Sequence, residues 1–408
     1  MRLYAFEGIH YTPRAGDADD ADAAGHLAAP PYDQINDALR DRFHVQSPHQ
    51  FVHLSKPVAP EGGDPYHFAA ALHRRWLAEG IIARDPRPAI YPYVIELTGG
   101  NEPGGERLGV LGLVRYEDPA VIRPHEQTLD KPLADRAALL EAMRVDLEPV
   151  LLLSEDQGRL DALLREDLAG AHPLVRHRDA EGHFHVIYRV DDPARIARYR
   201  EVLDVPSAIA DGHHRYKVGQ RFAREHGAAP DTAAAAKLAV ITSLDSPALT
   251  IDPIHRAFKE PIDIARLAGV AASAQPFHGK SGLAFAAAVA AAPQPAFGFW
   301  VRGHEPEIWY VAQPRLAVEI FQDTVLPGLG LPSEASTDGT VVYRSDPDEL
   351  WSQMAAGDLG TGVWLPPMQP AAFAAAIAGG QMLPAKSTRF LPKVMSGLVW
   401  ADHESKLV

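Results

Sequence analysis

Residues 209–217 read Ile-Ala-Asp-Gly-His-His-Arg-Tyr-Lys, a short apolar run followed by a turn and a cluster of cationic side chains. Asp211 belongs to the residue types that most often cap a helix, and apolar residues follow it at helical spacing. The stretch therefore predicts a strand, a loop and a helix that Asp211 caps. The first turn of this helix contains His213, His214 and Arg215.

These cationic side chains occupy an unfavourable place. A helix N-terminus carries about half a positive charge, so a cation in the first turn costs roughly 0.3–1 kcal/mol where an acidic residue would stabilise. A bound anion would reverse this penalty by accepting hydrogen bonds from the backbone N–H groups, the imidazoles and the guanidinium. We therefore predict that Asp211–Arg215, which includes Gly212, forms a cradle for a phosphate or carboxylate. The alternative is a surface helix start whose charges are simply solvated.

A second apolar run, Leu238–Ser243, has the continuous apolar character of a buried strand. Together with the strand, loop and helix around the cradle, it predicts an α/β fold of mixed α+β type with a mixed sheet at its core. Residues 231–237 are rich in alanine and predict a further helix. Residues 296–301 and 307–312 predict an antiparallel pair in a peripheral subdomain. We expect three regions, residues 1–195, 196–260 and 261–408.

The composition predicts a folded, acidic protein. The 408 residues include 53 acidic and 39 basic ones, which gives a formal net charge of −14. An electrostatic field of this sign opposes binding to nucleic acids. The absence of cysteine from the sequence excludes disulfides, thiolate metal sites and a cysteine nucleophile. The first residues, Met-Arg-Leu-Tyr-Ala-Phe, lack the apolar stretch of a signal peptide, and the sequence has no apolar run of roughly 18 residues. We therefore expect a cytoplasmic protein without a membrane span.

His125 and Glu126 follow the predicted strand 107–116 and precede an apolar-periodic helix. Adjacent residues point in different directions on any regular element, so this pair does not match a zinc-binding helix, whose ligands are four residues apart. On a loop, Glu126 is a candidate general base for an alcohol, and His125 is a candidate acid–base group or phosphate contact. The alternative is a loop carboxylate that caps the following helix.

The remaining candidates are contacts for a ligand. Two prolines at residues 30–31 force an extended backbone and present Tyr32 and Asp33 at a fixed geometry. A His-Arg pair after an apolar strand and two lysines of the basic C-terminal segment complete the set: His255, Arg256, Lys386 and Lys393. Structural turns and solvated basic residues are the alternatives at these positions. His183 and His185 lie on one face of a predicted strand without an acidic partner set, and we predict no metal site.

Five blocks of the chain carry a family resemblance. They are residues 29–33 Ala-Pro-Pro-Tyr-Asp, 124–128 Pro-His-Glu-Gln-Thr, 209–216 Ile-Ala-Asp-Gly-His-His-Arg-Tyr, 253–256 Pro-Ile-His-Arg and 386–393 Lys-Ser-Thr-Arg-Phe-Leu-Pro-Lys. In this order they resemble the family called domain of unknown function 1015. The Asp-Gly-His-His-Arg segment is also similar to the phosphate-binding box of the ParB and sulfiredoxin superfamily, which includes nucleotide-binding partition proteins and a free-serine kinase. This second resemblance implies a phosphate-binding strand-loop-helix of the same type.

The function that we predict is kinase-like phosphoryl transfer to a hydroxylated small molecule. Glu126, His125 and Asp211 are its candidate catalytic residues, with Glu126 activating the hydroxyl while the cradle holds a phosphorylated ligand. The superfamily resemblance points to serine as the acceptor, and phosphoryl transfer implies Mg²⁺ with ATP or ADP. Three alternatives stay open: a phosphoester hydrolase with the same site, a nucleotide-dependent DNA-binding protein of the ParB type, and a ligand-binding protein without catalysis. The sequence leaves the oligomeric state open.

Overall fold

The structure of the chain is a computed structural model. It describes residues 1–12, 26–98, 105–117, 119–126, 130–267, 269–292, 295–311, 313 and 315–408. Gln127 and Thr128, which belong to one of the blocks that carry the family resemblance, lie outside these ranges.

Strands and helices are interspersed along the described ranges. The strands are β1 Leu3–Tyr4, β2 Ile9–Tyr11, β3 Ile82–Arg84, β4 Tyr91–Glu96, β5 Glu106–Arg115, β6 Ile122–Arg123, β7 Val145–Asp146, β8 Val150–Ser154, β9 Val175–Arg178, β10 Phe184–Ile187, β11 Ser207–Asp211, β12 Ala236–Ser243, β13 Thr250–Asp252, β14 His255–Phe258, β15 Ser273–Pro276, β16 Ala296–Val301, β17 Glu307–Tyr310, β18 Val342–Arg344, β19 Thr361–Trp364, β20 Arg389–Leu391 and β21 Ala401–Asp402. The α-helices are α1 Asp37–Gln46, α2 Val52–Ser55, α3 Pro65–Glu79, α4 Asp130–Met143, α5 Arg159–Asp167, α6 Pro193–Val202, α7 His213–Glu225, α8 Gly282–Ala290, α9 Ala317–Ile320, α10 Leu326–Gly328, α11 Pro347–Ala356 and α12 Pro370–Ala378.

The first of two compact units consists of Met1–Pro124, Thr128–Leu249 and Pro392–Val408. Its main sheet, as far as the chain is described, has the order β6-β11-β8-β12-β5-β4-β10-β9, with β1 paired to β5. β8 and β12 run parallel, whereas β11 is antiparallel to β8. The sheet is therefore mixed, and the predicted α/β fold with a mixed sheet core is confirmed.

The central strands of this sheet are buried along their whole length. Every residue of β8 and of β12 is buried, as expected for apolar strands in the middle of a covered sheet. The helix predicted at residues 231–237 is wrong. Only Ala233–Ala235 form a short 3₁₀ turn, and Ala236 already begins β12. Pairing of β12 with β5 and β8 overrides the helix propensity of the alanines.

The second unit consists of His125–Gln127 and Thr250–Leu391. Within its described residues, an antiparallel sheet has the order β15-β17-β16-β19-β14-β18, and β13 pairs with β20. Helices α8 and α11 pack on the sheet, where Phe285 of α8 meets Trp364 of β19 with ring centroids 4.9 Å apart. The antiparallel pair expected from the sequence corresponds to β16 and β17.

Two further expectations concern the division of the chain into regions and the presence of membrane-spanning helices. The division into residues 1–195, 196–260 and 261–408 stays a prediction. Among the residues that the structure describes, no helix combines the length and the apolar character that crossing a bilayer requires.

Candidate functional site

The link between β11 and α7 is a single glycine. Gly212 has a φ of 93°, in the left-handed region that favours glycine, and it caps α7 without a side chain. A Cβ at this position would lie 2.8 Å from Val150 Cγ1 and 3.1 Å from Arg215 Nη2. The link therefore combines a backbone conformation and a close approach that only glycine satisfies without strain. The prediction that Asp211 caps the helix is wrong, because Asp211 is the last residue of β11.

The carboxylate of Asp211 is engaged by two cations. Arg215 Nη2 lies 2.5 Å from Asp211 Oδ2, and the ammonium of Lys393 pairs with Oδ1. Burial raises the pKa of Asp211, but Lys393 and Arg215 lower it more, so the pKa lies well below its ordinary value. Asp211 is therefore a carboxylate at neutral pH, and it organises two cations at the start of α7.

Arg215 is buried, and carbonyl and carboxylate oxygens hold its guanidinium. Its Nη1 donates to the backbone oxygen of Pro149, while Nη2 pairs with Asp211. Burial lowers the pKa of Arg215, but the nearby carboxylates, led by those of Asp211 and Glu148, raise it overall. The positive charge of Arg215 is thus offset within the protein. The free-energy cost that the sequence analysis assigned to a cation in this helix turn did not include these carboxylates.

Tyr32 and Asp33 belong to the same unit and lie near this cluster. They form a short 3₁₀ turn that follows Pro31, whose ψ of 148° is extended. The backbone N–H of Tyr32 donates to Glu148 Oε1 over 3.1 Å. The guanidinium of Arg136 lies 4.3 Å from the centre of the Tyr32 ring. Tyr32 is therefore fixed on both sides, through its backbone and through its ring.

Glu148 is the residue of this cluster that the sequence analysis missed. It is buried, accepts hydrogen bonds from Tyr32 N–H and from Ser396 Oγ, and has a pKa that burial raises. The sequence did contain a signal, because Glu148 interrupts the apolar run of residues 147–153, the later part of which forms β8. A carboxylate in such a run must be paired or hydrogen-bonded, although the run does not identify the partners.

His213 and His214 follow Gly212 directly and form the first residues of α7. Both are partly exposed, unlike Arg215, which is buried. The charge of His213 contributes to the low pKa of Asp211. The structure thus brings together Asp211, Gly212, His213, His214, Arg215 and Lys393 at the start of one helix.

The second unit holds another group of the predicted site residues. Glu126 Oε1 accepts a hydrogen bond from the backbone N–H of Lys386 over 3.0 Å. Arg256 is buried, donates to the backbone oxygens of Ile254 and Lys386, and lies 4.6 Å from the centre of the Tyr343 ring. Burial lowers the pKa of Arg256 to about 10. Lys386 has a φ of 59°, an uncommon backbone conformation for a residue with a side chain.

Two histidines of the second unit are deeply buried. His125 Nε2 lies 2.9 Å from Thr388 Oγ1, and its ring meets the ring of Phe373 edge-on. His255 Nδ1 accepts a hydrogen bond from the backbone N–H of Leu365, and burial lowers its pKa to about 4. The expectation that His125 and Glu126 share a cleft with the cradle stays a prediction. Within the described ranges, no group of three or more His, Cys, Asp or Glu side chains is placed to hold a metal ion.

Comparison with known proteins gave one family and several solved structures. The model of the family described as "Protein of unknown function (DUF1015)" matches residues 3–319. The comparison with curated proteins found no match. A structure described as a conserved hypothetical protein from Pyrococcus furiosus is 15% identical with a TM-score of 0.37, covering 74% of this chain and 94% of that chain.

Two further similar structures are a free serine kinase and the protein SbnI. A free serine kinase in complex with AMP is 16% identical with a TM-score of 0.38, covering 69% of this chain and 87% of that chain. SbnI with a C-terminal truncation, from Staphylococcus aureus, is 12% identical with a TM-score of 0.36, covering 70% of this chain and 84% of that chain. Likenesses at these TM-scores carry no conclusion about the activity of this chain.

Proposed function

This chain belongs to the family described as "Protein of unknown function (DUF1015)", and we propose that it is an enzyme that binds a phosphorylated small molecule at the start of α7 and transfers a phosphoryl group. The observation that carries the proposal is the gathering of Lys393, Arg215, His213 and His214 at one helix start. The carboxylates of Asp211 and Glu148 offset the charge of Arg215, and Asp211 also pairs with Lys393. The N-terminus of a helix of 13 residues adds its own partial positive charge. A phosphate at this place would be stabilised by the helix N-terminus and by the cationic side chains around it.

The start of α7 also has the rigidity that binding a phosphate requires. The guanidinium of Arg215 is held by Pro149 and Asp211, so little of its freedom remains to be lost when a ligand binds. Gly212 allows Val150 and the Arg215 guanidinium to pack closely against the backbone at the helix start, because it has no side chain. Preorganised donors of this kind stabilise the charge of a phosphoryl group during transfer.

The proposed reaction transfers the terminal phosphoryl group of ATP or ADP to a hydroxyl oxygen. The P–O bond to the nucleotide breaks as the new P–O bond forms, and the hydroxyl proton passes to Glu126 as general base. The backbone N–H of Lys386 orients the carboxylate of Glu126 through Oε1. Serine is the first acceptor to test, because the Asp-Gly-His-His-Arg segment is similar to the phosphate-binding box of a superfamily that contains a free-serine kinase.

Mg²⁺ in this proposal belongs to the nucleotide. Asp211 is a poor ligand for Mg²⁺, since Lys393 and Arg215 already occupy both of its oxygens. Phosphate oxygens are the ligands that a catalytic Mg²⁺ commonly uses. Bound to the nucleotide, Mg²⁺ would supply charge neutralisation on the phosphates, while Arg215 and the helix start orient them.

The experiment is a transfer assay with the purified chain, Mg²⁺, ATP or ADP and a panel of hydroxylated metabolites that begins with serine. Phosphorus NMR should show a phosphate monoester of one acceptor, and the signal should require both nucleotide and acceptor. Release of inorganic phosphate alone would favour the hydrolase alternative. No turnover on the whole panel, together with salt-sensitive binding to DNA, would contradict the proposal and favour a partition-type protein.

A further inference from the structure

A chain of hydrogen bonds that the proposed reaction does not use lies buried in the first unit. Asp179 Oδ2 lies 2.9 Å from His185 Nε2, and His185 Nδ1 lies 2.6 Å from the hydroxyl oxygen of Tyr93. The same hydroxyl oxygen accepts the backbone N–H of Met395 over 3.1 Å. His185, Tyr93 and Met395 are all buried. Residues from three separate segments of the chain thus form one continuous polar path through the interior.

The donors and acceptors fix the direction of this path. Because Met395 N–H donates to the phenol oxygen, the Tyr93 hydroxyl proton is available to donate to His185 Nδ1. His185 then carries its own proton on Nε2 and donates it to the Asp179 carboxylate. Burial lowers the pKa of His185, which keeps the imidazole neutral and this tautomer consistent. Every polar atom along the path is matched in this one arrangement.

The path ends on the segment that carries Lys393. Met395 is two residues after Lys393, whose ammonium pairs with Asp211. The next residue, Ser396, exchanges two backbone hydrogen bonds with Ala29. Through its hydrogen bond with Met395, Tyr93 therefore holds the backbone between Lys393 and the pairing of Ser396 with Ala29.

We propose that Asp179, His185 and Tyr93 form a positioning relay that holds the Lys393 segment in place and keeps Lys393 paired with Asp211. None of the three is a catalytic residue. Their role is to fix the position of the Lys393 ammonium at the start of α7. The importance of this role for ligand binding rests on the proposed function of that site.

Tyr93→Phe and Tyr91→Phe form a matched pair of variants that test the relay. Both tyrosines lie on β4, are buried, and accept one backbone N–H while engaging one further side chain. For Tyr91 these partners are Gly8 N–H and Asp85 Oδ2, over 2.9 and 2.6 Å. Both variants remove one buried hydroxyl, but only Tyr93→Phe releases Met395.

Titration calorimetry with inorganic phosphate and carbon-detected NMR of the Asp211 carboxyl are the two measurements. Tyr93→Phe should raise the phosphate Kd about tenfold, because Lys393 is no longer held in place and its contact with the phosphate is weakened. It should also raise the pKa of Asp211. Tyr91→Phe should change neither quantity. Equal behaviour of the two variants, or an unchanged Asp211 pKa in Tyr93→Phe, would overturn the relay.

The two readouts separate the relay from the proposed function. If the unmodified protein binds no phosphate, the proposed function fails, while the Asp211 pKa in the two variants still decides the relay. If Tyr93→Phe does not fold, Asp179→Asn replaces it. An asparagine has one oxygen and one NH₂ group where Asp179 offers two oxygens, so one of the hydrogen bonds from His183 N–H and His185 Nε2–H is lost and the pKa of Asp211 should again rise. Nitrogen NMR of the unmodified protein should find the His185 proton on Nε2, and a proton on Nδ1 would also overturn the relay.

Discussion

Replacement of Gly212 by alanine tests the close packing at the start of α7, and Gly158 supplies the control. Both glycines cap a helix of the first unit, and both have a left-handed backbone, with φ of 93° at Gly212 and 74° at Gly158. Their surroundings differ. A Cβ at Gly212 would meet Val150 Cγ1 at 2.8 Å and Arg215 Nη2 at 3.1 Å, whereas a Cβ at Gly158 would meet nothing within 4 Å.

The difference in surroundings gives the expected magnitudes. A left-handed backbone costs alanine about 1–2 kcal/mol, and this cost is common to both sites. Crowding of a packed site adds about 1–3 kcal/mol, and only at Gly212. Gly158→Ala should therefore lower the free energy of unfolding by about 1–2 kcal/mol and Gly212→Ala by about 2–5 kcal/mol. Because the new methyl group displaces the Arg215 guanidinium, Gly212→Ala should also weaken phosphate binding, whereas Gly158→Ala should not.

Urea denaturation measures the two losses of stability, and titration calorimetry with inorganic phosphate measures the binding. Equal destabilisation by the two substitutions would show that the contacts of Gly212 with Val150 and Arg215 are not tight. An unchanged phosphate affinity in a folded Gly212→Ala protein would refute the claim that ligand binding depends on the position of Arg215.

Three further predictions concern single side chains. Arg215→Ala should weaken phosphate binding by about 1.5–3 kcal/mol, the worth of a charge-assisted contact, whereas Arg221→Ala, on the exposed side of the same helix, should leave it unchanged. Asp211 has a native pKa below its ordinary value near 4, so its contribution to stability is complete above that pH and is lost as pH falls through the native value. Acid denaturation of Asp211→Asn should lack this loss, and a curve parallel to that of the unmodified protein would contradict the assignment. Glu126→Gln should lower turnover by about 10²-fold or more with little effect on nucleotide binding, and a binding defect of equal size would remove Glu126 as the base.

The fold was readable from the sequence where burial determines local pattern. The run that forms β12 is apolar because the strand is fully buried, and this character predicts it without any knowledge of its partners. Residues 231–237 show the limit of local pattern. Alanine favours helices, but the pairing of Ala236 and Lys237 with β5 is a long-range interaction that no local window contains.

The helix of the candidate site was readable from the sequence, but the pairing of its side chains was not. Apolar residues at helical spacing after Asp211 predicted a helix there, and α7 begins at His213. That its first turn binds an anion stays a prediction. The capping role given to Asp211 was wrong, since its carboxylate is recruited by Lys393, a residue 182 positions later. The role of Glu148 and the hydrogen-bonded path from Asp179 to Met395 were not predicted for the same reason. Their partners meet only in the folded sheet, and spacing along the chain carries no record of them.

The measurement that tests the central claim most directly is a crystal structure of the protein grown with saturating inorganic phosphate. The proposed function predicts an ordered phosphate at the N-terminus of α7, with its oxygens in contact with Arg215 or His214. Phosphate bound elsewhere while residues 211–215 hold none, or no ordered phosphate at all, would contradict the claim that the start of α7 is an anion site.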